Sequence, residues 1–417
     1  MGDRVLRMVA LAVIASASLT VIGLIALWPS GEGKRQATDN ASQIGLVTER
    51  VDATVATVSE GRCSYSTPDN PQTCRTLSFE LRNGPAAGSL VSLPEINTTF
   101  DQTFPELSVG DGVVLGYEAT TDYYFFADLQ RRTPLAILAT LFAVVVIALS
   151  RVRGALALVA MAATLVLLVA FVAPSVLDGN DPLLVAVVAA SAIAFVSLYL
   201  THGFTPTTTV ALAGTLAALT LTLAISWIFF ELATFSGLAT EEGLILPFVA
   251  ENVDLGALLL GGAIIGALGA LDDVTVTQVA TVAELRHRSP DLPTRSLIAS
   301  GVRVGRDHIA STVNTLLLAY AGASMPLLLL FAISDQSLAT VANSEIIAVE
   351  IVRTLCGSIG LVAAVPITTG LAALVLRPEA LPSTGDADFD AAGAAPPNAP
   401  DPAAPPRWED FAPEHDD

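Results

Sequence analysis

The stretch "GALGALDDVTVTQVATVAE", residues 266–284, begins as glycine-rich apolar helix and then sets Asp272 and Asp273 side by side before any basic residue appears. In a soluble domain such a pair would simply mark a surface. Composition argues for another setting. The chain has 417 residues, 53% of them hydrophobic and 14% charged, and its mean hydropathy of +0.63 lies outside the usual range of a soluble globular domain. The sequence therefore reads as an α-helical polytopic membrane protein, and the acid pair sits in or next to a span.

Crossing a hydrocarbon core of about 30 Å takes about 20 apolar residues. Eight stretches meet that need: residues 8–28, 134–150, 155–177, 183–200, 206–230, 255–283, 308–332 and 346–376. The second and fourth are near the minimum length, and a seven-span reading is the main competitor. The first follows a basic "MGDRVLRM" and could be a signal peptide, but its apolar run exceeds the 7–15 residues typical of one, so residues 1–30 are expected to form an uncleaved anchor. Arg4 and Arg7, Arg151 and Arg153, and the group Arg286, Arg288, Arg295, Arg303 and Arg306 all fall on one side of this topology. The excess of basic residues makes that side cytoplasmic, with both termini inside and residues 31–133 outside. Arg131 and Arg132 run against it.

The net charge of −20 is uneven. Residues 377–417 are rich in Pro, Ala and Asp and end "APEHDD", the composition of a disordered acidic cytoplasmic tail. Nothing here offers a basic surface to nucleic acid.

Between residues 44 and 127 the apolar period shortens to two, in "RVDATVATVSE", "RTLSFELR", "SLVSLPEI" and "DGVVLGYEA", with Gly, Pro and Asn turns between. Residues 31–133 are thus expected to hold a small extracytoplasmic all-β domain of five or six strands, either a compact barrel of the OB type or a small sandwich. Cys63 and Cys74 flank a polar, Pro-containing connection on the oxidising side, where a disulfide is the natural pairing. A metal site is the rival, but the domain has no histidine and the spacing is not that of a zinc knuckle. Cys356 lies in the last span. No metal or cofactor is expected.

At 100° per residue Asp273, Thr277, Thr281 and Glu284 share an arc of about 80°, whereas Asp272 falls off it. Gln278 lies on the same helix, and Gly262, Gly266 and Ala270 precede the acids at small-xxx-small spacing. In the next span Asp307, Ser311 and Asn314 share a face, with Arg306 and Thr315 beside them. In the last, Glu350 and Arg353 are three apart and able to pair. An ionisable group in a span is expensive unless it faces a bundle interior or a wet cavity. The last three spans are accordingly expected to pack together, with Glu350, Asp272 or Asp273 as counter-ion to Arg353. In the competing reading span six ends near Leu271, and residues 272–284 form an exposed amphipathic helix at the interface. Upstream, "LATEEGLILPFVAENVDLG" is acidic and interrupted by Pro247, as in an interfacial or re-entrant segment whose Glu251, Asn252 and Asp254 form a mouth; a solvated loop is the alternative.

Taken in order, "GALGALDDVTVTQVATVAEL", "SGVRVGRDHIASTVNTLLLAYAG" and "NSEIIAVEIVRTLCGSIGLVAAVPIT" resemble the YibE/F-like family of bacterial polytopic membrane proteins. The resemblance covers about residues 130–376 and implies a seven-helix membrane domain over 134–376. Within it Asp273 takes the family's acidic position. Gly305, Arg306, Asp307, Asn314, Thr315 and Tyr320 resemble the second signature, and Glu350, Arg353, Gly357, Ser358 and Gly360 the third. The family's appearance is permease-like and implies a bacterial cell membrane location, but it supplies no substrate.

Two functions follow as expectations. One is a permease or secondary transporter for a small ion or solute, using Asp273, Asn314, Thr315, Glu350 and Arg353. The other is an envelope assembly or sensory protein whose outer domain binds a protein partner. An aspartyl protease using Asp273 and Asp307 lacks the GxGD pattern, and no Walker, GxSxG, HExxH or Rossmann pattern occurs, so no catalytic residue is assigned and the chain is not expected to be an enzyme.

Overall fold

Short polar residues and prolines punctuate the apolar sequence, and helices begin where they stand. The computed structural model describes residues 2–99, 101, 104–119, 121–333 and 336–376, so the acidic tail expected over 377–417 lies outside the described residues. Helix α1 spans Gly2–Ala26 and α2 Glu32–Gln43. After the strands come α3 (Arg132–Leu167), a π-helical turn over Leu168–Val172, α4 (Ala173–Leu177), α5 (Pro182–His202), α6 (Pro206–Ala233) and α7 (Glu241–Val249). The chain continues through α8 (Leu255–Arg288), α9 (Thr294–Ala323), α10 (Met325–Ile333), α11 (Leu338–Asn343) and α12 (Glu345–Val375). Asp181, Thr205, Thr240 and Asp254 cap α5, α6, α7 and α8, each accepting from a backbone N–H three residues on at 2.7–3.1 Å.

Among the described residues six helices are long and apolar enough to cross a membrane, or seven if α9 and α10, which meet at 64°, count as one span. The stretches expected as separate spans over 134–150 and 155–177 form one run, Arg132–Leu177, broken at Arg151, whose φ of 50° and ψ of −127° are not helical.

The interior is built by α5, α6, α8 and α12, with α9 packed against α8 and α12. Leu198, Leu212, Ile264, Leu271 and Leu361 are fully enclosed there. Close approach of α6 and α12 depends on two glycines. A Cβ on Gly214 would lie 2.4 Å from Thr368 Oγ1, and one on Gly360 would lie 1.8 Å from Thr222 Oγ1. In contrast, α1 and α3 leave Leu11, Ile14, Ile22, Leu135, Leu138 and Leu141 uncovered.

Polar contacts tie each end of the bundle. At one end the Asp178 carboxylate accepts from the backbone N–H groups of Ser30, Gly31 and Gly33 and from the Ser30 hydroxyl, fixing the start of α2. Burial alone would raise this carboxyl; the donors outweigh it and hold it below its ordinary value. Glu345 accepts from Ser236 Oγ and Gly237 N–H at the same end. At the other end Arg286 donates to the Leu292 and Ala373 carbonyls, joining α8 to α12.

The period-two segments form six strands of one antiparallel sheet: β1 (Glu49–Arg62), β2 (Thr73–Leu81), β3 (Leu90–Ser92), β4 (Ile96–Asn97), β5 (Gly112–Glu118) and β6 (Tyr123–Leu129). Pairing runs β3-β2-β1-β5-β6, with β4 also on β2. Among the described residues the pairing path runs from β3 to β6, and the inward side chains of β1, β2, β5 and β6 share one core with Leu93 and Leu107. Alternation places Val51 opposite Leu115, Val55 opposite Phe79 and Ala53 opposite Leu81, all enclosed. Asp52 of β1 accepts from Gln130 Nε2 at 3.1 Å and pairs with Arg132 at 2.9 Å, linking the sheet to the first residue of α3.

Cys63 and Cys74 are joined by a disulfide between the end of β1 and the start of β2, with a Cα–Cα distance of 4.8 Å. Closing so short a loop stabilises a small domain by about 2–3 kcal/mol in the chain-entropy view. Replacing both cysteines by serine is therefore expected to speed limited proteolysis between residues 63 and 74 of the full chain, while α-helical content by circular dichroism stays unchanged.

Candidate functional site

Spacing of three on α12 puts Glu350 and Arg353 on one face, and their side chains pair at 2.7 Å while only 30% and 20% exposed. Arg353 has room because the facing positions of α8 are small: Ala263, Ala267 and Ala270 line a narrow gap with Tyr320, Arg353, Thr354 and Gly357. Beside it lies a cavity of about 210 Å³ bordered by Glu350, Tyr320, Ser324 and Thr354, whose open surface is almost wholly apolar. Glu350 Oε2 and Arg353 Nε are enclosed without a hydrogen-bond partner among the described residues. The pair thus keeps hydrogen-bonding capacity in reserve. Of the counter-ions considered for Arg353, Glu350 is the one in contact.

Adjacent residues on a helix point about 100° apart, and Asp272 and Asp273 part accordingly. Asp272 turns towards α5, where Ser197 Oγ donates to its Oδ2 at 3.0 Å; its Oδ1 is enclosed with no partner among the described residues. Asp273 leaves 71% of its side chain exposed, and His308 Nε2 of α9 lies 3.8 Å from its carboxylate. Thr277 and Thr281 continue the arc of Asp273, each donating to a carbonyl one turn back in its own helix, and Glu284 pairs with Arg288. The arc shared by these residues is the uncovered one. On α9 Arg306, Asp307, Asn314 and Thr315 are likewise exposed.

The enclosed polar groups are largely others. Gln278 is fully buried and accepts from Thr369 Oγ1 at 2.9 Å, while its Nε2 and Thr368 Oγ1 have no partner among the described residues. Thr215 of α6 meets Thr275 of α8 at 2.6 Å, both fully buried. Ser197, Thr215, Thr275, Thr368 and Thr369 were not among the candidates. Their signal is a hydroxyl near small residues in an otherwise apolar span, which is common in membrane helices and weak on its own.

At the end carrying Asp178 and Glu345, a cavity of about 350 Å³ is lined by Asp181, Trp227, Phe230, Glu231 and Asp254 among others. Glu251 and Asn252 line a separate gap of about 50 Å³ with Gln36 and Asn40 of α2. The residues expected to form one mouth are therefore divided between two cavities, and Asp254 and Asp181 also cap their helices. Among the described residues no three His, Cys, Asp or Glu side chains are placed to hold a metal ion.

Long apolar helices, the Glu350–Arg353 ion pair within one of them and a small appended sheet define a class: a mostly helical membrane protein. The chain belongs to the family described as YibE/F-like protein, which matches residues 138–378. No curated protein and no solved structure matches it. The match spans most of α3 through α12 and includes all of α8, α9 and α12; the β sheet precedes it.

Proposed function

We propose that the protein is a permease or secondary transporter for a small cation or a cation-coupled solute, acting in a bacterial cell membrane. The observation that carries this reading is the half-buried Glu350–Arg353 pair with unused donor and acceptor atoms beside a cavity. Ionisable groups are retained in spans at a cost of about 2.5–3.5 kcal/mol each on insertion scales, and they commonly mark ion paths. Asp272 lies 18 residues beyond the Asp254 cap, about 27 Å along α8, and Glu350 lies five residues into α12, about 8 Å from its start. The carboxylates of Asp272 and Glu350 therefore stand at different depths, which suits successive stations for a cation. The acidic, aromatic-lined cavity at Asp181, Glu231 and Asp254 would raise local cation concentration at the entrance.

Topology supports the same reading. A run of 46 residues is about 69 Å long, more than twice a hydrocarbon core, so Arg132–Leu177 crosses twice with its turn at Arg151. Counting α9 with α10 as one broken span gives eight passes, both termini on the arginine-rich cytoplasmic side, and the β domain outside.

The test is flux through proteoliposomes loaded with a pH-sensitive dye and challenged with monovalent or divalent cations. Wild-type protein is expected to couple a cation gradient to lumenal pH, and Glu350→Gln and Asp272→Asn each to lower that flux at least tenfold. Full flux in both variants, or none in the wild type with any cation or solute tried, would remove the proposal. A sheet outside the family match favours a second reading, envelope assembly or sensing. Deleting residues 49–129 discriminates, since retained flux supports transport, and lost complex formation with intact insertion supports assembly.

A further inference from the structure

The uncovered strip of α8 is unlike the other uncovered helix faces. Gly262, Gly266, Gly269, Asp273 and Ala280 fall within an arc of about 60°, and all five are exposed. A Cβ built on Gly262 or Gly269 would meet nothing within 4 Å. The uncovered faces of α1 and α3 carry many Leu, Ile and Val side chains, which lipid chains wet well; the strip on α8 carries three glycines and a carboxylate and no large apolar side chain. Helix α9 beside it is bare as well. Of its 30 residues Leu297, Gly301 and Gly305 are the buried ones, all in its first half. Its open face carries Arg303, Asp307, Ser311 and Asn314 at spacings of four, four and three.

We infer that this α8–α9 face is covered by a second copy of the same chain, related by a two-fold axis along the membrane normal. Such an axis brings together residues of equal depth, so a self-complementary face needs both signs of charge at one level. The face meets that condition. Arg306, Asp307 and His308 are consecutive on α9, and the contact of His308 with Asp273 at 3.8 Å sets the α8 carboxylate at their level. Arg306 of one copy can then meet Asp307 or Asp273 of the other. Asn314, whose amide both donates and accepts, can pair with its own counterpart. The glycine strip allows the two α8 backbones to approach as closely as α6 and α12 do within one copy.

Single cysteines in the full chain, oxidised in native membranes, test this directly. Gly262→Cys, Gly269→Cys and Asn314→Cys are expected to give a disulfide-linked species at twice the 43.1 kDa chain mass. Leu138→Cys on α3 and the unsubstituted protein should stay monomeric. Adding Gly269→Leu should lower cross-linking through Asn314→Cys at least fivefold. The inference is overturned if the α8 and α9 cysteines form no homodimer and instead react freely with a membrane-impermeant maleimide, the mark of a water-lined groove. It is equally overturned if they react only with a lipid-phase probe, or link to a chain of different mass. Cross-linking does not read flux, so this inference and the transport proposal stand or fall separately.

Discussion

Gly360→Ala is expected to destabilise the bundle by about 3 kcal/mol, the upper end of what overpacking a core usually costs, and Thr222→Ala is expected to restore most of the loss. The new Cβ would lie 1.8 Å from Thr222 Oγ1. That hydroxyl is not free to swing aside, because it donates to the Ala218 carbonyl at 2.8 Å and is fully enclosed. Relief must then come from separating α6 and α12, whose contact extends along much of both helices. Thr222→Ala removes Oγ1 and leaves the two Cβ atoms about 3.0 Å apart, a distance that a shift of a few tenths of an ångström accommodates. Thermal unfolding of the four proteins in detergent completes a double-mutant cycle. Wild-type stability in Gly360→Ala, or no recovery in the double variant, would show that the helices are not held this closely.

Legibility of these features in the sequence follows the range of the interaction. The Glu350–Arg353 pair is readable because a spacing of three on one helix fixes its own geometry, and the disulfide because Cys63 and Cys74 bracket a short connection between strand-like segments. The arc shared by Asp273, Thr277 and Thr281 is equally local. What lies opposite that arc is not local, and here the strip faces away from the bundle. Asp272 falls off the arc and is the better enclosed carboxylate, since its partner is Ser197, 75 residues earlier. The pairing of Thr215 with Thr275 and the contact of Thr369 with Gln278 depend on which helices become neighbours, which hydropathy does not encode. Spans are more legible: the apolar segments 134–150 and 155–177 read from the sequence meet at the non-helical backbone of Arg151, which divides the two helical stretches.

Arg353→Met is expected to lower stability by about 1–3 kcal/mol, because it leaves the half-buried Glu350 carboxylate with no compensating charge. Glu350→Gln together with Arg353→Met should recover most of that loss, since replacing both partners removes the desolvated charge along with its counter-ion. This difference separates structure from function. If the pair serves packing alone, the double variant regains flux as it regains its melting temperature. If the pair is a station for a cation, flux stays at the background of empty liposomes although the protein is folded and inserted. Methionine fills the narrow gap beside Ala263, Ala267 and Ala270 without a polar atom to place, so a loss of flux in the stable double variant cannot be assigned to a collapsed site. Flux that returns with stability would reduce Glu350 and Arg353 to a structural brace and leave Asp272 as the remaining carboxylate enclosed in these helices on which transport could depend.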